Sequence, residues 1–215
     1  MEIQSSKPHR KRRKLSWREQ TMRAHRKLEN AVLGGVSDQY RLRLWSAFIR
    51  ARDGNRCVRC HSRKRKLSAH HILRKTFWDE GRYQTGNGIT LCSKCHREAH
   101  KNFNGKPNLD LPMDAEGGEN IDLMMEMYWL LLNDARDREI LCDEFYFLSE
   151  RILQSFKRAQ TIEPTLQFPG GPLEQAYLIW RQTPRSMLKA LLGANGIELP
   201  DDFIQLGGVT LFFEN

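Results

Sequence analysis

The sequence predicts an α+β protein: a small metal-braced unit made of a short β-hairpin and a short helix, followed by a mainly α-helical C-terminal domain. Three observations point to this. Four cysteines fall in two Cys-x-x-Cys pairs, Cys57/Cys60 and Cys92/Cys95. Two short apolar stretches, at 67–73 and 86–91, lie between the pairs and suit the strands of a hairpin. Beyond residue 120 the apolar residues recur at helical spacing.

Taken in order, residues 1–30 read as a basic, flexible arm. The first 27 residues hold ten Lys or Arg, concentrated in His9-Arg10-Lys11-Arg12-Arg13-Lys14, with little apolar content to anchor them; His25 falls in this arm too. Ser37 or Asp38 is a suitable N-cap for a helix whose face is Leu42, Trp45, Phe48 and Ile49, and Gly54 stops it. The metal-braced domain spans 31–105, with a short helix following Leu91. Residues 106–120, rich in Asn, Gly, Pro, Asp and Glu within a longer polar stretch, read as a linker. The acidic domain at 121–215 is expected to hold helices at 121–132, 140–156 and 173–192, with one edge strand at 207–213. Cys142, Tyr128, Trp129 and the methionines at 124, 125 and 127 are expected in its core.

The net charge of +9 is the sum of two opposite halves. Residues 1–107 carry 27 Lys or Arg against 8 Asp or Glu, a balance of +19, and residues 108–215 carry 8 against 18, a balance of −10. The first half is therefore expected to meet a polyanion, with the arm contacting backbone phosphates; the acidic half is a candidate surface for a protein partner. The longest apolar run, 127–132, is far below the roughly 20 residues that cross a bilayer. With no apolar signal segment at the start, an intracellular, cytoplasmic protein of bacterial or phage origin is expected, without a membrane. In a reducing compartment the cysteines are metal ligands or core thiols rather than disulfides.

Two Cys-x-x-Cys pairs suit one structural Zn²⁺, each pair forming a knuckle that supplies two thiolates; an iron or iron–sulfur site is the lesser alternative. The 31 residues between the pairs exceed a simple zinc ribbon's roughly 15–20, so something is inserted. The insert holds His70-His71 and Asn87, and His96-x-x-x-His100 follows. Histidines at i and i+4 share a helix face, so His96 and His100 can reach one cation. His70 or His71 can add a third ligand. Adjacent strand residues point to opposite sides, which leaves the other imidazole free to take a proton.

The order Cys-x-x-Cys, His-His-Ile, Asn-x-Ile-x-Leu-Cys-x-x-Cys-His over residues 40–101 resembles the HNH endonuclease family, with its ββα-metal core often braced by a four-cysteine zinc. The resemblance implies His71 as general base, His70 as a ligand of the catalytic cation, Asn87 as the residue positioning the loop that bears His71, and His96 as the last motif histidine. His100 extends the likeness to colicin-type DNases, in which both helical histidines bind metal. It also implies DNA as partner and a divalent catalytic cation, Mg²⁺, Mn²⁺, Ni²⁺ or Zn²⁺. A phosphodiester attacked by water needs a base that is neutral near physiological pH and positive charge near the leaving oxygen, which imidazole and a divalent cation supply. Arg74, Lys75 and Arg97 lie near the motif histidines but stay outside the catalytic set, and His61 is assigned to the edge of the core. The rival is a non-catalytic zinc-ribbon nucleic-acid-binding protein, which gives no reason for His70, His71, Asn87, His96 and His100 to occur in that order.

Overall fold

A computed structural model describes residues 15–75, 78–101, 121–160, 162–182, 192–196, 203–206 and 209–212. The sequence's basic run at 9–14 and its linker at 106–120 lie outside these residues.

The first helix, α1 (Trp17–Leu33), begins where the flexible arm was expected to continue. Ser16 and Glu19 form a capping box, each side chain bonding the other's backbone N–H, which satisfies donors that a helix start otherwise leaves open. Thr21, His25, Leu28 and Ala31 recur at helical spacing and are buried on one face, and that face packs on α2 (Asp38–Arg52). His25 accordingly lies against Phe48 and Phe145 rather than in a solvated tail. The sequence expectation failed here because the density of Lys and Arg masked a sparse apolar stripe. On α2 the expected face holds: Trp45, Phe48 and Ile49 are buried, and Arg52 joins them.

Strands β1 (Leu67–His71) and β2 (Gly88–Cys92) pair antiparallel, with Leu67 opposite Cys92 and His71 opposite Gly88, and α3 (Ser93–Ala99) follows directly. Together they form the predicted hairpin and short helix.

In the C-terminal half, α4 (Ile121–Asp137) runs longer than expected, α5 (Glu150–Ala159) is shorter, and α6 (Pro172–Arg181) ends short of the expected 192, where Gln182 turns to an extended ψ of 139°. Residues 140–149 are not helical, contrary to the sequence reading. Glu139 adopts φ 53° just past the end of α4, a local turn bonds Phe145 N–H and Tyr146 N–H to Cys142 O, and the backbone of Phe147 and Ser149 bonds to the turn before Asn87. Cys142, expected as a buried thiol on a helix, is therefore exposed. Trp129 is also exposed, whereas Tyr128, Met124 and Met127 are buried. A terminal hairpin, β3 (Phe203–Leu206) and β4 (Val209–Phe212), replaces the single strand expected there.

One cluster of buried side chains runs from Leu28 through Trp45, Ile89 and Tyr128 to Phe156 and Trp180. The basic unit and the helical half thus share a core. Among the described residues no helix is long and apolar enough to cross a membrane.

Candidate metal centres and nuclease site

The cysteine knuckles are set by short backbone bonds. Cys57 N–H bonds to Ser62 O at 3.0 Å, His61 N–H to Cys57 O at 2.8 Å, and His61 adopts φ 57° to close the turn. His61 is exposed and bonded to Arg56, so it lies outside both the core edge and the ligand set. Val58 N–H reaches Thr90 O at 2.9 Å and ties this knuckle to β2, while Cys92 ends β2 and Cys95 follows in α3. The four sulfurs lie within 4.8 Å of one another, Cys60 and Cys92 at 3.7 Å. Sulfurs at the corners of a tetrahedron about 2.3 Å from zinc are about 3.8 Å apart, so the four fit one ion. Burial raises the Cys57 and Cys95 thiols; at Cys92 burial also pushes upward, but the Cys95 backbone N–H and the Cys60 thiol outweigh it and bring it to about 7. A cation held at the centre of the four sulfurs would favour the thiolate form of each.

The histidines divide as the strand geometry requires. His70, on the side of β1 that faces α3, meets His96 and His100 with ring centroids 5.1 and 5.0 Å away, and His96 and His100 are 4.8 Å apart. One ring nitrogen from each lies within 4.8 Å of the others, which suits a single cation held by three ligands with a side open to water or substrate. His70 is buried, and desolvation together with the neighbouring His100 and His96 holds it well below the ordinary imidazole range. Burial lowers His96 and His100 too. All three are therefore neutral near pH 7, the form that ligates metal.

His71 points the other way. Its ring stacks on Trp45 at 4.0 Å and an interplanar angle of 6°, and its Nε2 lies 2.9 Å from Arg82 O. A carbonyl only accepts, so Nε2 carries the hydrogen and Nδ1 keeps its lone pair. Burial pulls His71 down to about 4 although the Arg82 bond opposes it, so the ring is neutral.

Asn87 is almost fully buried and locks the loop after His71: Oδ1 accepts from Leu73 N–H at 2.9 Å, and Nδ2 donates to Leu73 O and Gly81 O. Gly88, opposite His71, leaves room for Trp45 and Ile49, which a Cβ there would meet at 2.6 and 2.7 Å. The structure thus gathers the four cysteines in one cluster and His70, His96 and His100 in another, with His71 turned away from both and Asn87 bonded to the loop that follows it. Trp45 was expected only as core, and Arg82 contributes a carbonyl, which leaves no side-chain signal in a sequence.

The family model described as HNH endonuclease matches residues 57–102. With the hairpin, the following helix and the clustered cysteines, the chain carries an HNH domain within a mixed α and β fold, and the remainder is mainly helical. Neither a curated protein nor a solved structure matches the chain. The α1 and α2 helices and the whole C-terminal half lie outside the matched span.

Proposed function

We propose that this protein is a metal-dependent endonuclease that hydrolyses DNA phosphodiester bonds. The supporting observation is the division of adjacent histidines: His70 turns toward His96 and His100 while His71 is held away from them by Trp45 and the Arg82 carbonyl. A zinc ribbon needs only the cysteines, and a ribbon reading leaves this arrangement without a purpose.

His71 is the base. With Nε2–H committed to Arg82 O, its Nδ1 accepts the proton of the attacking water, and the stacked Trp45 ring keeps the imidazole from turning. Asn87 holds the following loop, so the imidazole stays where the strand ends. A divalent cation on His70, His96 and His100 supplies positive charge to the phosphate as negative charge develops on it and on the leaving oxygen. Three imidazoles suit Zn²⁺ or Ni²⁺ better than Mg²⁺ or Mn²⁺, which prefer oxygen ligands. The cysteines hold a separate structural Zn²⁺. The basic face of the HNH half carries the duplex.

The test is incubation of zinc-loaded protein with supercoiled plasmid and Mg²⁺, Mn²⁺, Ni²⁺ or Zn²⁺, with and without EDTA, beside a His71→Ala control. Cation-dependent cutting that the control lacks supports the proposal. Binding without cutting under every cation supports the ribbon.

A further inference from the structure

The HNH match ends at residue 102, yet the turn that leads into Asn87 is held from behind by residues 145–149, some 60 positions later. Gly86 N–H bonds to Phe147 O at 2.8 Å. Phe147 N–H bonds to Thr85 Oγ1 at 2.9 Å. Gln84 takes Ser149 at both ends, its Oε1 accepting from Ser149 N–H at 2.8 Å and its Nε2 donating to Ser149 Oγ at 2.9 Å. The approach is close enough to need glycine: a Cβ on Gly86 would stand 2.6 Å from Leu148 and 2.7 Å from Tyr146 O.

A buried cation completes the joint. Arg52, fully buried beside Asp53, donates to Thr85 O and Gly88 O at 2.6 Å each and to Phe145 O at 3.3 Å, and lies over the Tyr146 ring. Trp45, which stacks on His71, donates its Nε1–H to Gln84 O at 3.2 Å. The segment 82–87 therefore presents Arg82 O to His71 and Asn87 to the loop after it on one side, and is bonded to 145–149 on the other.

We infer that Gln84 and Thr85 are positioning residues for the nuclease site, and that the backbone at 145–149 of the acidic half is the support through which they hold the orientation of His71. The acidic half is then part of the catalytic frame rather than an appended module. The kinetic side of this inference rests on the proposed hydrolysis; the structural side does not.

The experiment compares full-length wild type with Thr85→Val, Gln84→Ala, the double variant and Thr85→Ser, each well below its unfolding transition. Thr85→Val keeps the shape and removes the acceptor for Phe147 N–H. In the double variant kcat on plasmid should fall about ten- to hundred-fold, the loss that a displacement of about 1 Å brings. The KM, zinc content and affinity of the histidine site for cation should stay within about twofold of wild type, and Thr85→Ser should recover most of the activity. Long-range imidazole ¹H–¹⁵N spectra should show His71 as the Nε2–H tautomer in wild type and as a mixture in the double variant. Unchanged kcat and unchanged tautomer would overturn the inference, as would a joint loss of kcat, KM, cation affinity and thermal midpoint, which is the mark of general unfolding. If wild type does not cut DNA at all, the hydrolysis proposal fails, while the tautomer comparison still decides whether the brace positions His71.

Discussion

At the scale of single residues, two neighbouring imidazoles have been given different environments. His70 is crowded by like groups, and His71 sits between an indole face and a carbonyl. Removing His71 and removing a member of the His70 cluster should therefore fail differently. His71→Ala is expected to lower the cleavage rate by at least about a hundredfold, the usual share of a general base, with DNA affinity and zinc content unchanged. Gel shift and plasmid nicking measured on the same preparation check this, and cutting at the wild-type rate would remove His71 from the role of base. His96→Ala should instead weaken the second cation alone. Calorimetric titration should then show one tight structural zinc and a loss of binding at the histidine site.

At the scale of elements, the hairpin has only two strands of five residues each and depends on what is fixed around it. The four cysteines join the 57–60 turn to the end of β2 and the start of α3, so the binding free energy of a metal held there would be part of the folding free energy. We expect chelation to melt the ββα unit, seen by circular dichroism, and alkylation of all four cysteines to accompany unfolding; free alkylation of a still-folded protein would sink the zinc assignment. Arg52 performs a related task from α2. Replacing it with Met would leave Asp53 charged and buried and the carbonyls of Thr85 and Gly88 without their donor. Breaking such a pair costs about 3–5 kcal/mol, to be read from urea denaturation, and a loss below about 1 kcal/mol would show that other groups take over its bonds.

At the scale of the whole molecule, the opposite charges of the two halves coexist with a shared core. Phe145, Tyr146 and Leu148 of the acidic half are buried in the same cluster as Phe48 and Trp45, so residues 1–107 alone should expose apolar surface and aggregate on expression. Light scattering of that fragment is the check, and a soluble, cooperatively folding fragment would contradict it. The electrostatic test belongs to the run at 9–14, since deletion through residue 27 would remove the face of α1 that packs on α2. Deleting residues 1–14 should weaken binding equally on two unrelated duplexes and flatten the slope of log affinity against log salt by about 0.9 for each phosphate that the arm had neutralised. An unchanged slope would show that the phosphates are held elsewhere on the basic half.

The cysteine and histidine clusters and the HNH motif were legible in the sequence because such spacings are local. Cys-x-x-Cys needs one turn, His96 and His100 need one helical face, and His70-His71 need only the alternation of a strand. The α2 face and the hairpin were legible for the same reason, being set by periodicities of a few residues. Tertiary structure decided the rest. It buried the α1 stripe that the basic run concealed, and within the non-helical stretch 140–149 it gave the backbone of Phe147 and Ser149 partners at Gln84, Thr85 and Gly86. It also made Trp45 and Arg52 part of the site's frame, and set the Arg82 carbonyl against His71. These bonds join residues as far apart as Arg52 and Phe145, several through main-chain atoms that every residue carries. A spacing pattern in one sequence holds no record of such bonds, because their partners are chosen by the packing of the whole chain.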